Sequence, residues 1–318
     1  MRALITGGAG FIGSSLAKRL ADEGHQILIA DSLTPYYDPA QKRANLVPVR
    51  DRPGVRVVEA DLVFADLDAL LDDIDVVFHQ AAQPGVRRSW DTFGSYVAAN
   101  ITVTQRLLDA VLRRGGVRCF VYASSSSVYG NCVGGGSAES DRPQPFSPYG
   151  VTKLAAEHLC CAYAENFGLP TVSLRYFTVY GPGQRPDMAL HRLIEAARNG
   201  TPFPLYGDGR QLRDFTYVDD VVAANLAAVS ADPPPGTVVN VAGGSSTSMR
   251  EVVELIGELV GRPVLIDTQP PQPGDVLATA ALTRAASQVL GWEPHTDLRT
   301  GVARQVAWHA ERAAVAYA

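Results

Sequence analysis

The chain has 318 residues, 46% of them apolar, and a formal net charge of -5. That length suits one large domain with a smaller appendage. Lys and Arg are scattered, which argues against a nucleic-acid footprint, and no apolar run is long enough to span a bilayer.

The N-terminal residues run straight into a strand and then glycines, unlike a signal peptide. Cys119, Cys132, Cys160 and Cys161 show no metal-ligand spacing, so unpaired thiols, a cytoplasmic setting and no metal are expected.

Residues 3–6 form a short apolar strand, followed by Gly7-Gly8-Ala9-Gly10-Phe11-Ile12-Gly13 and a helical pattern through Leu20. A second strand at 27–30 ends on Asp31. Strand, glycine turn, helix, strand and acid in that order predict a dinucleotide site. Gly7 permits the tight turn, Gly10 admits a diphosphate to the backbone, and Gly13 lets helix and strand pack closely. The helix N-terminus faces the phosphates. Asp31 would accept from the adenosine ribose hydroxyls and repel a 2'-phosphate, which favours NAD over NADP.

A third strand at 55–60 leads to Asp61-Leu62, where the carboxylate either reaches an adenine amino group or caps the next segment. A fourth at 75–79 ends in Gln80-Ala81-Ala82, small enough for a cofactor to pass close by. Residues 83–89 read as a mobile loop by their Pro and Gly. Its Arg87 and Arg88 either meet a diphosphate or carboxylate or are simply solvated. A long helix at 96–113 carries one odd polar residue, Asn100, a cofactor contact or a surface asparagine.

The fifth strand, 118–123, delivers Ser124-Ser125-Ser126-Ser127-Val128-Tyr129-Gly130. Residues 134–138 read as a flexible surface excursion. Ser147 and Pro148 are the N-cap and first position of a helix to about Phe167, with Tyr149 and Lys153 on one face, a turn apart. A phenol near pH 10 is a poor base, and a neighbouring ammonium is expected to lower its pKa. A serine hydroxyl nearby can share the proton. Such a site deprotonates an alcohol while a hydride leaves. A sixth strand occupies 171–176.

Alternation of strands and helices implies an α/β, Rossmann-type doubly wound parallel sheet, with ligands beyond the strands' carboxyl ends. Gly7, Asp31, Asp61, Ala81, Ser125 and Phe177 all fall at such ends. After residue 183 the pattern loosens: helices at 190–199, 219–229, 250–260, 283–290 and 298–310, an extended basic and aromatic stretch at 210–217, and a strand at 237–241. We expect a cofactor domain over 1–180, rejoined by 214–242, and a smaller mixed α/β substrate-binding domain from 181–213 and 243–318.

These motifs, with RYFTVYGPGQRP, RDFTYVDD and the late PGDV, resemble the extended short-chain dehydrogenase/reductases, specifically the NAD-dependent nucleotide-sugar epimerases and dehydratases, over essentially the whole chain. Residues 31–39 with Lys42-Arg43, residues 83–89, 175–180 and 183–189 are similar to the UDP-glucuronate 4-epimerases. Dehydratases carry an Asp-Glu pair where this chain has Ser126 and Ser127, so the acids for eliminating water are missing.

The resemblance implies reversible 4-epimerisation of UDP-glucuronate to UDP-galacturonate through a 4-keto sugar, with tightly bound NAD. Tyr149 would be the base, Lys153 its partner on the nicotinamide ribose, and Ser125 the catalytic serine. Tyr176 joins the cofactor contacts. Ser127, Thr178 and Arg185 are candidates to hold the sugar carboxylate and so suppress loss of carbon dioxide, with Ser126 beside them; Arg185 could instead grip a phosphate. Arg213 is the best diphosphate ligand, with Arg192 and Asp275 near the nucleotide. A neutral UDP-hexose or UDP-N-acetylhexosamine 4-epimerase and a UDP-glucuronate decarboxylase would use the same oxidation. A non-catalytic nucleotide-binding regulator commonly lacks Tyr or Lys of the pair, and both are present here. A homodimer through the helices at 96–113 and 148–167 is the family's usual assembly.

Overall fold

The structure, a computed structural model, describes residues 1–132 and 134–316, apart from the side chains of 313–316. Its first half lays down β1 (Arg2–Thr6), α1 (Phe11–Asp22), β2 (Gln26–Asp31), α2 (Pro39–Leu46), β3 (Val55–Glu59), α3 (Leu67–Leu70), β4 (Val76–His79), α4 (Phe93–Tyr96), α5 (Val103–Arg114), β5 (Cys119–Ser125), α6 (Pro148–Phe167) and β6 (Thr171–Tyr176). The second half adds β7 (Thr178–Tyr180), α7 (Ala189–Asn199), β8 (Phe203–Tyr206), β9 (Leu212–Tyr217), α8 (Val218–Ser230), β10 (Thr237–Val241), β11 (Ser246–Ser248), α9 (Met249–Val260), β12 (Ile266–Gln269), α10 (Arg284–Leu290) and α11 (Leu298–Ala316).

Seven parallel strands run in the order β10-β6-β5-β4-β1-β2-β3. The order reverses direction at β1, where a crevice opens beyond the strand ends. β5 is buried along its whole length, as a strand covered on both faces must be. One face carries a core from α1, α7, α8 and α9, including Leu16, Leu20, Leu193 and Val221. The other is covered by α5 and α6 through Leu107, Val111, Ala156 and Cys160. Register aligns the ends that matter: Thr6 pairs with Ala30 and His79, and Ser125 with Tyr176. β10 rejoins the main sheet, whereas β9 stays in a separate three-stranded sheet with β7 and β11.

Local chemistry sets the helix that matters most. Ser147 accepts from the backbone of Gly150 at 3.1 Å, Pro148 takes the first position, and left-handed Gly168 ends α6. The helix expected at 96–113 begins earlier, at Phe93, and widens into a π turn over Val97–Thr102 before α5. The wide turn presses Asn100 into the interior.

Two loop expectations are corrected, the first only in part, since Gly134 and Gly135 are exposed. Residues 136–138 are pinned: Ser137 is buried, its N–H bonds Ala280, and it bridges to Ala281. Residues 83–90 are also tied down, by Tyr96, whose hydroxyl bonds the carbonyls of Pro84 and Gly85, each at 2.7 Å. Among the described residues no helix is long and apolar enough to cross a membrane, and all four cysteines are unpaired.

Candidate active site

The crevice consists of two adjoining cavities. The first, about 410 Å³, is lined by the predicted Gly7, Gly10, Phe11, Ile12, Gly13, Asp31, Asp61, Leu62, Ala81, Ala82, Tyr149, Lys153 and Tyr176. A Cβ on Gly13 would lie 2.4 Å from the carbonyl oxygen of Gly7, so only glycine allows α1 to start this close to β1. Asp31 is oriented in advance: its carboxylate accepts from the N–H of Ala9 at 3.1 Å and of Leu33 at 2.8 Å. Asp61 lines the cavity and accepts from the N–H of Val63 at 2.9 Å, while the next helix, α3, is capped by Asp66 instead. A narrow backbone cradle, a helix N-terminus and a fixed acid at the ribose end fit a dinucleotide.

Lys42 went unassigned in the sequence. Its ammonium lies 3.5 Å from Asp31 and is nearly buried there. Its signals were its place eleven residues past the acid and, with Arg43, its part in the family resemblance; the helix that carries it, α2, is not evident from the pattern.

The second cavity, about 390 Å³, is lined by Ser124, Ser125, Ser126, Ser127, Tyr149, Tyr176, Thr178, Arg185, Arg213 and Asp275. Tyr149, Tyr176, Ser124 and Arg185 face both spaces, so the phenol stands where they meet. Its approach to the serines is set by Gly150, where a Cβ would come within 2.5 Å of the Ser127 carbonyl oxygen.

Burial pushes the Tyr149 phenol up; the Ser125 hydroxyl and the Arg185 charge pull it back. Burial is the largest of these influences, and Ser125 and Arg185 are the counterweights. Lys153 is itself desolvated, which brings its pKa down to about 7. Its ammonium sits 4.5 Å from the centre of the Tyr122 ring. An alcohol at this junction meets a phenol beside the serines, and a cofactor in the first cavity meets the lysine.

The arginines divide. Arg185 is mostly buried and held bidentately by Asp187, with both bonds at 3.0 Å, while Tyr36 donates to the same carboxylate at 3.4 Å. Arg213 faces the second cavity close enough to Asp275 to feel its charge. Three predicted contacts move elsewhere. Arg87 bonds Asp275 at 2.8 Å and stacks on Tyr206; Arg88 lies over the Tyr36 ring; Arg192 lies over Phe203, and none of the three lines either cavity. Asn100 is a fourth correction. Its amide exchanges bonds with the backbone of Gln83 at 2.7 and 3.1 Å and donates to Thr152 at 3.0 Å, so it supports the loop instead of facing the cofactor. Long side chains pair with whatever opposite charge or ring the tertiary fold brings near, and spacing does not encode that.

Support for Arg185 comes from far along the chain. Gln305 of α11 accepts from the N–H of Gly181 at 3.0 Å and donates to Gln184 at 2.8 Å. Gln184 in turn donates to the Val179 carbonyl at 3.0 Å. No sequence pattern pointed to this pair of glutamines.

The model of the NAD dependent epimerase/dehydratase family matches residues 3–242. A Bacillus subtilis (strain 168) protein described as an uncharacterized UDP-glucose epimerase is 42% identical over 313 residues, covering 97% of this chain and 98% of the relative. A probable UDP-glucuronate 4-epimerase of Rhizobium meliloti (strain 1021) is 38% identical over 332 residues, 97% of each chain. The crystal structure of UDP-glucuronic acid 4-epimerase from Bacillus cereus, in complex with UDP-glucuronic acid and NAD, superposes with a TM-score of 0.95 at 39% identity, covering 98% of this chain and 100% of that one.

Proposed function

The chain belongs to the NAD dependent epimerase/dehydratase family, and from that premise we propose that it is an NAD-dependent isomerase interconverting UDP-glucuronate and UDP-galacturonate by inversion at carbon 4. The observation that carries this reading is the meeting of the two cavities at Tyr149, with Arg185, Thr178 and Ser127 on the sugar side. Bound NAD would supply the hydride acceptor that converts the 4-hydroxyl to a ketone and the donor that restores it to the opposite face. Gly7, Gly10, Gly13, Asp31 and Asp61 would hold that cofactor, and Lys153 its nicotinamide end.

Tyr149 removes the proton from the 4-hydroxyl and returns it, with Ser125 sharing it. Because burial raises the phenol, it works as a base only when cations offset that cost. The ketone formed is a β-keto acid that loses carbon dioxide unless its carboxylate is held out of line. Arg185, Thr178 and Ser127 would do this, and a guanidinium suits a carboxylate best. Arg213 would serve the diphosphate, with Asp275 near the nucleotide. We take residues 1–180, with 214–242 returning to them through α8 and β10, as the cofactor lobe, and 181–213 with 243–318 as the sugar-binding lobe. Exposed Phe93, Leu112, Val151 and Phe167 on the α4–α5 and α6 surfaces support a homodimer. Four unpaired cysteines support a cytoplasmic setting.

Incubation with UDP-glucuronate, UDP-glucose and UDP-N-acetylglucosamine, with products identified by NMR, tests the reading. The 4-epimer of the uronate is expected without release of carbon dioxide. Turnover of the neutral sugars alone would replace it with a UDP-hexose 4-epimerase, the reading favoured by the Bacillus subtilis relative. Carbon dioxide as the main product would make it a decarboxylase.

A further inference from the structure

The catalytic layer contains a buried charge that the reaction above leaves unused. Glu157 lies on α6 one turn beyond Lys153 and is 2% exposed. Its carboxylate accepts from Ser124 Oγ at 2.6 Å, from Arg175 Nε at 2.9 Å and from Arg175 Nη2 at 2.6 Å. Arg175 is also buried and continues to the Tyr129 hydroxyl at 2.6 Å, which donates to Asn240 at 2.7 Å. One network thus joins α6 to β5, β6 and β10 directly behind Ser125. A buried ion pair contributes little net stability compared with apolar side chains of the same volume, so stability is a weak account of its presence.

We propose that Glu157 is a positioning residue for Lys153: fixed by Ser124 and Arg175, its carboxylate keeps the lysine ammonium charged where that ammonium faces the cofactor cavity. The groups facing Lys153 leave it this one anion. On α6 they are Tyr149, Cys160 and Glu157; on β5, Tyr122; on β4, His79; and on β6, Tyr176. Burial pushes Tyr122, Tyr149, Tyr176 and Cys160 up and drives His79 down to about 3, so all five are neutral at physiological pH. Burial also lowers Lys153, to about 7, and with Cys160 neutral the charge left to oppose that shift is Glu157. An ammonium stripped of the Glu157 charge would lose its proton at lower pH. The sign follows: the cationic lysine is present below its pKa and lost above it, so lowering that pKa cuts activity from the alkaline side.

The inference rests on Tyr149 and Lys153 being the acid–base pair. The chain contains only three lysines, Lys18, Lys42 and Lys153, so lysine labelled with ¹³C at the terminal carbon gives three NMR signals, assigned by removing Lys18 and Lys42 in turn. The full chain, Glu157→Gln, and Glu157→Gln combined with Arg175→Met are titrated. The double variant removes both buried charges together and keeps the test available if the single one does not fold. The Lys153 midpoint is expected to fall by about one pH unit in either variant, and the alkaline limb of kcat against pH to move with it. An unchanged midpoint in a variant that is folded by circular dichroism, with only a lower Tm, makes Glu157 merely structural and overturns the proposal. The titration needs no turnover. A wild-type chain inactive on every UDP-sugar therefore counts against the proposed reaction, while the lysine midpoint still decides the role of Glu157.

Discussion

In the cofactor half of the cleft the lining comes largely from backbone and from two acids, Asp31 and Asp61, that backbone holds in place; in the sugar half it comes from the ends of long side chains. Gly7, Gly10 and Gly13 shape the first half, strand register brings Thr6, Ala30 and His79 into line beside it, and Asp31 is locked by two N–H groups. The cation beside that acid, Lys42, lies 3.5 Å away, and the backbone bonds hold the carboxylate without it. In the second half, cations already hold acids of the chain: Arg185 has Asp187, and Arg87 has Asp275. Recruiting Arg185 to an anionic sugar exchanges one carboxylate for another, so affinity and selectivity are small differences between ion pairs. One half is suited to retaining a cofactor through many turnovers, the other to releasing a product.

The sharpest way to break the comparison is at the junction. Tyr149→Phe is expected to lower kcat by about 10²–10⁴-fold while leaving NAD bound; absorbance of the purified protein and steady-state turnover check both parts, and retained activity would remove Tyr149 as the base. In the backbone-built half, Gly13→Ala forces a methyl against the Gly7 carbonyl. Overpacking of this kind costs about 1–3 kcal/mol, so NAD affinity by calorimetry should fall by about 5- to 150-fold. Unaltered binding would mean the cradle yields more than its geometry allows.

In the side-chain half, Arg185→His removes a fork worth about 1.5–3 kcal/mol to a charged partner. It should lower kcat/KM for UDP-glucuronate by about tenfold or more, raise carbon dioxide release, and leave UDP-glucose kinetics unchanged. Equal losses on both sugars would assign Arg185 to the diphosphate. The smallest effect is expected from Asp275→Asn, which breaks the partly exposed pair with Arg87. Such pairs are worth about 0–1 kcal/mol, so KM should rise only a few-fold; a much larger rise would show Asp275 touching the nucleotide directly.

The same contrast explains what could be read in the sequence. The glycine turn, the acid after β2, the serine strand end and the Tyr149–Lys153 pair are local, because backbone geometry and helical spacing act over a few residues. The two arginines of residues 83–90 were legible as charges but not as contacts, since their partners Asp275 and Tyr36 lie far off in the chain. Asn100 misled for a related reason: a π turn rotates it inward, and a regular helical count does not anticipate that. Burial also acts on the Tyr149 phenol, and as a property of the whole fold it is not encoded in helical spacing. Glu157 and Arg175 were invisible as a pair because β6 had first to be laid beside β5.

Gln305 gives the last helix a practical meaning. Its amide fixes the turn at Gly181 and, through Gln184, the segment that presents Arg185. Shortening α11 past this residue, or straining it with a bulky fusion, would therefore be felt first as altered substrate preference, before any loss of the Rossmann sheet. For anyone engineering this chain toward other sugars, the far terminus is a handle on selectivity that leaves every residue of the cleft untouched.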